Sequence, residues 1–357
     1  MTSSEKPSEH EPSPLVAVVA SRLGDSHGRH RRIADLLGRS ARDVRRDGGR
    51  WLIGSGTAID PWATRAAELF DVTIVRPDVA AKRRDEAVIE TAVRIDALHV
   101  RRGGRIEGLL RRRIERSPTT VRVAIGDPTS TAAADLLAAG AVGWYVESAA
   151  ASVNTDRSID PHNVPDTDGW LIHCTRGVRG RWPGETPAQY RDSILLSVAD
   201  VASRGEADRG RGPIEALDRI VRGGRLLASA VTSNRSMPVV CFSERKLSEL
   251  LTHRSYRSHL RRWDYEPFGV AIRTEAARRI GVRPVRYDAV PAGLPDDDGH
   301  LAAAAGGTHD WTWEREWRLN RDLPLGEVDP EDLRLFAADT PLHRAKLSNV
   351  PHAIWWL

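Results

Sequence analysis

The chain has 357 residues, enough for two domains that each bury a core of their own. Apolar residues make up 40% of it, and no uninterrupted apolar run approaches the ~18 residues of a membrane span, so no membrane partner is expected. Two cysteines, Cys174 and Cys241, are too few for a disulfide framework or a four-cysteine zinc site, so no metal is expected and the cytoplasm is the expected location. The net charge is only +4, and nearly all positive charge is arginine, the lysines being Lys6, Lys82, Lys246 and Lys346. Arginine forks suit phosphates and carboxylates, so anionic ligands are expected. No helix-turn-helix, zinc-finger or RNA-recognition signature is present.

Residues 1–14 are polar and rich in Ser, Glu and Pro, and read as a disordered tail rather than a signal peptide. Leu15 to Ala20 is a β-branched apolar run that fits a buried parallel strand. A polar-faced helix follows from Arg31 to Arg46, then a strand over Arg50 to Ile53. That strand ends in Gly54-Ser-Gly-Thr57 and feeds a helix from Pro61 to Leu69, with Asp60 as its N-cap. Asp71 to Val75 and Val121 to Ile125 are further strands. The latter ends in Gly126-Asp-Pro-Thr-Ser-Thr131 and leads into a helix from Ala132 to Ala139; Val142 to Val146 closes the unit. Strands alternating with helices predict a doubly wound α/β sheet over residues 15–148.

Residues 149–168 lose periodicity and read as a linker. The second domain, 169–357, is expected to be α+β with a mixed sheet. Its strands are Trp170 to Thr175, Pro238 to Phe242, Gly269 to Arg273, Pro284 to Tyr287 and Trp311 to Leu319, with helices over Pro187 to Ala202 and Pro213 to Arg222.

In the first domain, Gly54, Gly56 and Thr57 stand where glycine lets a backbone approach an anion and a helix N-terminus offers free N–H groups. Thr129 and Thr131 add hydroxyls at the second strand-to-helix turn. Both turns lie at strand carboxyl ends, where open α/β sheets bind ligands. In the second domain, polar chemistry interrupts apolar strands at His173-Cys-Thr175-Arg176, at Phe242-Ser243-Glu244, and at Glu314-Arg-Glu316-Trp-Arg318. If Trp311 to Leu319 is a strand, Glu314, Glu316 and Arg318 share one face, with the carboxylates about 7 Å apart. Cys174 and Cys241 read as small buried hydrophobes. The basic aromatic stretch His253 to Tyr265 suits a substrate or nucleic-acid loop, or an exposed connection.

The pattern Trp51 to Thr57 followed by Arg65-Ala-Ala-Glu68 resembles the SLOG group of Rossmann-like nucleotide-binding domains. That resemblance implies a nucleotide-type ligand in the first domain, with Arg65 and Glu68 as the nearest counterparts of that group's catalytic pair. The ordered motifs His173 to Thr175, Val240 to Glu244, Phe268 to Val270, Gly281 to Tyr287 and Glu314 to Arg318 resemble the abortive-infection AbiGi family. Their order is also similar to the histidine–hydroxyl/aromatic–glutamate layout of ADP-ribosyltransferases. This implies NAD as a substrate, a protein or nucleic-acid acceptor, and His173 on the adenosine ribose with Thr175 beside it. Ser243 or Phe242 would line the nicotinamide pocket, and Arg176 would contact the pyrophosphate. Glu316 would stabilise the oxocarbenium-like charge, and Glu314 would orient or deprotonate the acceptor. The function expected is a bacterial phage-defence or stress protein with a nucleotide-sensing first domain and an ADP-ribose-transferring second one. The alternatives are a non-catalytic partner-binding protein and a nucleotide N-glycosidase housed in the first domain.

Overall fold

The computed structural model describes residues 13–127, 130–145, 164–178, 180–199, 210–229, 237–257, 262–287, 296–302 and 311–357. Most of the expected tail and linker, and Thr129, lie outside the described residues. The chain divides into two compact units, Met1–Val153 with Arg179–Arg209, and Asn154–Val178 with Gly210–Leu357.

The first unit is a Rossmann-like α/β fold. Strands β1 (Leu15–Ala20), β2 (Arg50–Leu52), β3 (Ile74–Val75), β4 (Arg94–His99), β5 (Val121–Ala124) and β6 (Val142–Trp144) form a parallel sheet of order β3-β2-β1-β4-β5-β6. The order reverses between β1 and β4, which makes the space beyond their carboxyl ends the topological switch point. Helices α1 (His27–Arg46) and α2 (Asp60–Phe70) cover one face; α3 (Arg84–Thr91), α4 (Arg105–Arg116) and α5 (Ala133–Ala138) belong to the other. Ile33, Leu36, Leu37, Ala41 and Val44 recur at helical spacing on α1 and bury against Val16, Val18 and Trp51 of the sheet.

Helix α6 (Pro187–Ala199) also belongs to the first unit, although its sequence follows the first strand of the second. This corrects the placement of that helix in the second domain. Tyr190, Ile194, Leu195 and Val198 bury into the core formed by α1 and α2. Gly38 permits the close approach, since a β-carbon there would stand 3.0 Å from Val198 and 3.1 Å from Phe70.

The second unit is α+β with a mixed sheet. Its elements are β7 (Trp170–Cys174), α7 (Pro213–Gly223), β8 (Arg225–Leu226), β9 (Val240–Ser243), α8 (Leu247–Thr252), β10 (Tyr256–Arg257), β11 (Arg262–Trp263), β12 (Phe268–Arg273) and α9 (Thr274–Arg279). They continue with β13 (Arg283–Pro284), β14 (Glu316–Leu319), β15 (Leu323–Pro324), β16 (Leu333–Ala337), α10 (Pro341–Lys346) and β17 (Ile354–Trp356). The main sheet runs β13-β14-β9-β7-β12-β16-β17, antiparallel except for the last pair. The hairpin β10–β11 and the pair β15–β8 stand apart from it. Leu171, Phe242, Val270 and Trp317 pack on one face with α7 and α9, while Trp170, Ile172 and Ala271 pack on the other with α8.

The strand expected over Trp311 to Leu319 begins only at Glu316. Residues Trp311–Glu314 form a 3-10 turn, and Arg315 takes φ 44°, a left-handed conformation that breaks the pleat. Likewise Val285 to Tyr287 fall outside β13.

Candidate functional site

The three strands that carry the polar motifs of the second unit are widely separated in sequence and adjacent in space, in the order β14-β9-β7. Glu316 is directly opposite Ser243, and Ser243 is opposite Ile172. Arg318 is opposite Cys241, and Cys174 is opposite Gly269. Because cross-strand partners share a face, Ser243, Glu316, Cys241 and Arg318 stand on one side of the sheet. By the same alternation His173 and Phe242 stand on the other, with their rings 5.7 Å apart in an edge-on contact. The pleat therefore places His173 on the opposite side of the sheet from Ser243 and Glu316.

His173 sits at a seam. Among the described residues, β7 and β9 pair only at Ile172 and Ser243. One residue further on, the Nδ1 of His173 bonds the Cys241 carbonyl at 2.8 Å. A carbonyl only accepts, so Nδ1 carries the proton. Burial lowers the imidazole to about 4, with the Cys241 bond opposing and the Arg176 charge reinforcing that shift. A neutral ring whose Nδ1 is committed to a backbone carbonyl helps close the sheet, so any ribose contact of His173 falls to its other edge. Thr175 is similarly occupied: its hydroxyl faces the Pro213 and Phe268 carbonyls at 2.9 and 3.0 Å, and the side chain is buried.

Glu316 is held by Arg318. The guanidinium meets both carboxylate oxygens, at 3.0 and 2.7 Å, and donates to the carbonyls of His300 and Ala302 at 2.7 and 3.0 Å. Arg318 is 0% exposed, so its orientation is set by packing and the carboxylate is immobilised by a fork that cannot swing away. The Glu316 amide donates to the Tyr287 hydroxyl at 3.0 Å. Ser243 donates to the Glu314 carbonyl at 2.6 Å and accepts the Arg245 amide at 3.1 Å, so its hydroxyl proton is committed within the protein.

Glu314 lies off the strand, and its Oε1 accepts the Tyr265 hydroxyl at 2.8 Å. Burial raises this carboxyl above the usual carboxylate value; the Tyr265 bond opposes the rise, Glu316 adds to it, and Arg176 opposes it. Burial also pushes the Tyr265 phenol up, and the Glu314 charge adds to that rise. The neighbouring Trp313 is clamped by Arg245, which donates to its carbonyl at 2.6 Å and lies 5.0 Å from its ring, while His253 packs edge-on at 4.6 Å. The Nε of Arg176 is buried with no hydrogen-bond partner among the described residues. Burial raises the Cys174 thiol to about 12. Both cysteines are half-buried rather than fully enclosed.

In the first unit, the glycine turns are filled from within. The amide of Gly56 donates to the Asp60 carboxylate at 2.7 Å, and Thr57 donates to the Gly54 carbonyl at 2.9 Å. Asp60 also holds Arg76 and Thr64, and its carboxyl lies below the usual range. The Gly56 amide and the Thr57 hydroxyl, both expected to face a ligand, are thus bonded within the protein. Thr131 accepts the Arg102 amide at 3.0 Å and so braces the loop after β4. Arg65 is paired with Glu68 and Asp192 at 2.7 and 2.8 Å, a surface ion-pair cluster.

Sequence reading missed the loop after β4 and its neighbours at the switch point. Ser21 follows β1, donates its amide to the His99 carbonyl at 2.8 Å, and accepts the Arg101 amide on its hydroxyl at 3.2 Å. Gly103 and Gly104 then lead into α4, Gly103 with φ 71°. The available signal was Gly103-Gly104 ahead of Ile106, Leu109, Leu110 and Ile114 at helical spacing.

No family model matches the chain, and no curated protein matches it. Among solved structures, the molybdenum cofactor carrier protein of Chlamydomonas reinhardtii is similar over 37% of this chain and 89% of its own, with 15% identity and a TM-score of 0.29.

Proposed function

We propose that the second unit cleaves NAD and transfers its ADP-ribose, in a bacterial defence or stress protein whose first unit senses a nucleotide-type ligand. The observation that carries this reading is the fixed carboxylate of Glu316, held by the buried Arg318 fork directly across from Ser243. Loss of nicotinamide breaks its bond to ribose C1′ with the electron pair leaving on nicotinamide, and positive charge develops on the sugar. An immobile carboxylate stabilises that charge without reorganising. An acceptor hydroxyl then bonds C1′ and gives up its proton. Glu314, close enough that the Glu316 charge raises it, takes that proton in its ionised form. The orphaned Nε of Arg176 suits a pyrophosphate oxygen.

A second reading draws on the same ion pair. Arg318 is fully buried and also ties two carbonyls, as a scaffold would, and the unit then recognises a partner without chemistry. The N-glycosidase alternative is less favoured because Asp60 takes the Gly56 amide of the turn it needs.

NAD consumption by the purified protein, alone and with cell extract, separates these readings. Nicotinamide release by wild type, lost in Glu316→Gln, supports transfer. No turnover by folded wild type with extract present supports partner binding.

A further inference from the structure

Most hydroxyls around Glu316 have committed their protons within the protein. Ser243 donates to the Glu314 carbonyl at 2.6 Å, Tyr265 donates to Oε1 of Glu314 at 2.8 Å, and the Thr175 hydroxyl faces two carbonyls. Tyr287 differs. Its oxygen accepts the Glu316 amide at 3.0 Å, and among the described residues nothing accepts its proton. A phenol both accepts and donates, so this oxygen is fixed in place while its hydrogen is still to be given.

The backbone sets where that hydrogen stands. The Val285 amide donates to the Glu316 carbonyl at 2.8 Å, and the Arg286 amide donates to the Leu301 carbonyl at 2.9 Å. The segment that ends at Tyr287 is thereby braced on β14 on one side and on residues 301–302 on the other. Arg315 takes φ 44° just before β14, and the phenol takes the first amide of the strand after that turn. Tyr287 is half-buried rather than enclosed. Burial raises its phenol above the ordinary value; the Glu316 amide bond opposes the rise, the Glu316 and Glu314 charges add to it, and Arg318 opposes it. The phenol therefore keeps its proton at neutral pH. It stands in the field of both carboxylates, yet no hydrogen bond joins it to either.

A fixed donor beside a fixed carboxylate is the complement of a hydroxyl, which gives its proton to the carboxylate and accepts one from the phenol. An ether, a bare carbon or a phosphate in that place leaves one partner or both unsatisfied, at a cost. On the sugar of NAD, the hydroxyl nearest the developing charge at C1′ is the one on C2′. We infer that Tyr287 is a specificity-determining residue, its phenol donating to the 2′-hydroxyl of the nicotinamide ribose while that hydroxyl donates to Glu316. This rests on the NAD-cleaving reading of the second unit and deepens it, assigning the site a preference for a ribose with a free 2′-hydroxyl.

The test is a cycle of two proteins and two ligands. Wild type and Tyr287→Phe are titrated calorimetrically with NAD and with the NAD analogue that lacks the 2′-hydroxyl of the nicotinamide ribose, and nicotinamide release is assayed in parallel. Tyr287→Phe is expected to bind NAD about three- to tenfold more weakly, the range of one lost hydrogen bond, and to bind the deoxy analogue as wild type does. Equal weakening of both ligands means that the phenol only caps the start of β14, and overturns the inference; so does unchanged NAD affinity. Fluorotyrosine in place of Tyr287 keeps both bonds and reads the same contact without truncation. Its fluorine signal is expected to shift with NAD and not with the deoxy analogue, and an identical response to both ligands overturns the inference even if Tyr287→Phe fails to fold. Nicotinamide release by both proteins with unchanged NAD affinity keeps the cleavage reading and removes Tyr287 from it. The expected binding cycle without release keeps Tyr287 as a ribose contact and removes cleavage. No NAD binding by folded wild type overturns both.

Discussion

The phenol of Tyr265 donates to Oε1 of Glu314 at 2.8 Å, joining two residues 49 positions apart across the second unit. Tyr265 lies just ahead of β12, and Glu314 just ahead of β14, so the bond ties the approaches to two non-neighbouring strands. It also holds Glu314 lower than burial alone would set it.

A carboxyl raised above its ordinary value of 4.5 binds its proton more tightly in the folded state. Its contribution to stability is therefore present at low pH and is lost as pH rises from there through the folded value. Glu314→Gln keeps an acceptor for Tyr265 but cannot ionise. Relative to wild type, this variant should gain melting temperature as pH rises from 4 to 8. Tyr265→Phe removes the bond that lowers Glu314 and should move the wild-type loss to higher pH. Parallel melting curves for wild type and Glu314→Gln across that range would show that the carboxyl titrates as it does unfolded.

Arg318 offers a different kind of test. Arg318→Leu strands the Glu316 carboxylate and two carbonyls, and breaking such a pair from one side costs about 3–5 kcal/mol. Urea unfolding should show that loss. The paired variant Glu316→Leu/Arg318→Leu should recover part of it, because no charge is then left buried. A single variant as stable as wild type would mean that Arg318 carries no structural weight, and the fixed-carboxylate argument would fall with it.

The alternation of strand and helix was legible in the first unit because β1, β2 and β5 are apolar or β-branched runs. β4 was not, because Arg94, Asp96 and His99 interrupt it. Asp96 is tolerated at 0% exposure only because Arg122 meets both its oxygens at 2.8 Å and Ser40 donates at 2.7 Å, partners far away in sequence. The order of the motif strands in the second unit was legible, whereas the pleat facing was not. Whether His173 shares a face with Ser243 depends on the register of β7 against β9, which no local pattern encodes. The turn at Arg315 was hidden for a similar reason, since an arginine with positive φ leaves no compositional trace.

Gly269 belongs to one of the ordered motifs, and the structure explains it by space alone. A β-carbon there would stand 2.0 Å from the His173 carbonyl oxygen and 2.5 Å from the Phe336 ring. Gly269→Ala must displace backbone, so its cost should reach or exceed the upper end of the about 1–3 kcal/mol typical of overpacking. Gly108→Ala is the control: it lies within α4, nothing comes within 4 Å of the new carbon, and helix propensity predicts a gain of about 0.5–1 kcal/mol. Melting temperatures of the two variants should move in opposite directions.

His173 gives the last test, with the opposite pH sense from Glu314. Its folded value of about 4 lies below the ordinary 6.5, so the stability it contributes is present above 6.5 and is lost as pH falls through 4. The physical cause is burial: protonation places a charge between β7 and β9, beside Arg176, and among the described residues no carboxylate is bonded to the ring. His173→Gln keeps an N–H able to reach the Cys241 carbonyl and cannot be protonated. Wild type should therefore lose melting temperature relative to this variant between pH 6.5 and 4, with the two curves parallel above 7. If the imidazole instead faces an accessible site, its proton uptake is not coupled to unfolding. The curves then stay parallel throughout, and His173 returns to consideration as a ligand contact.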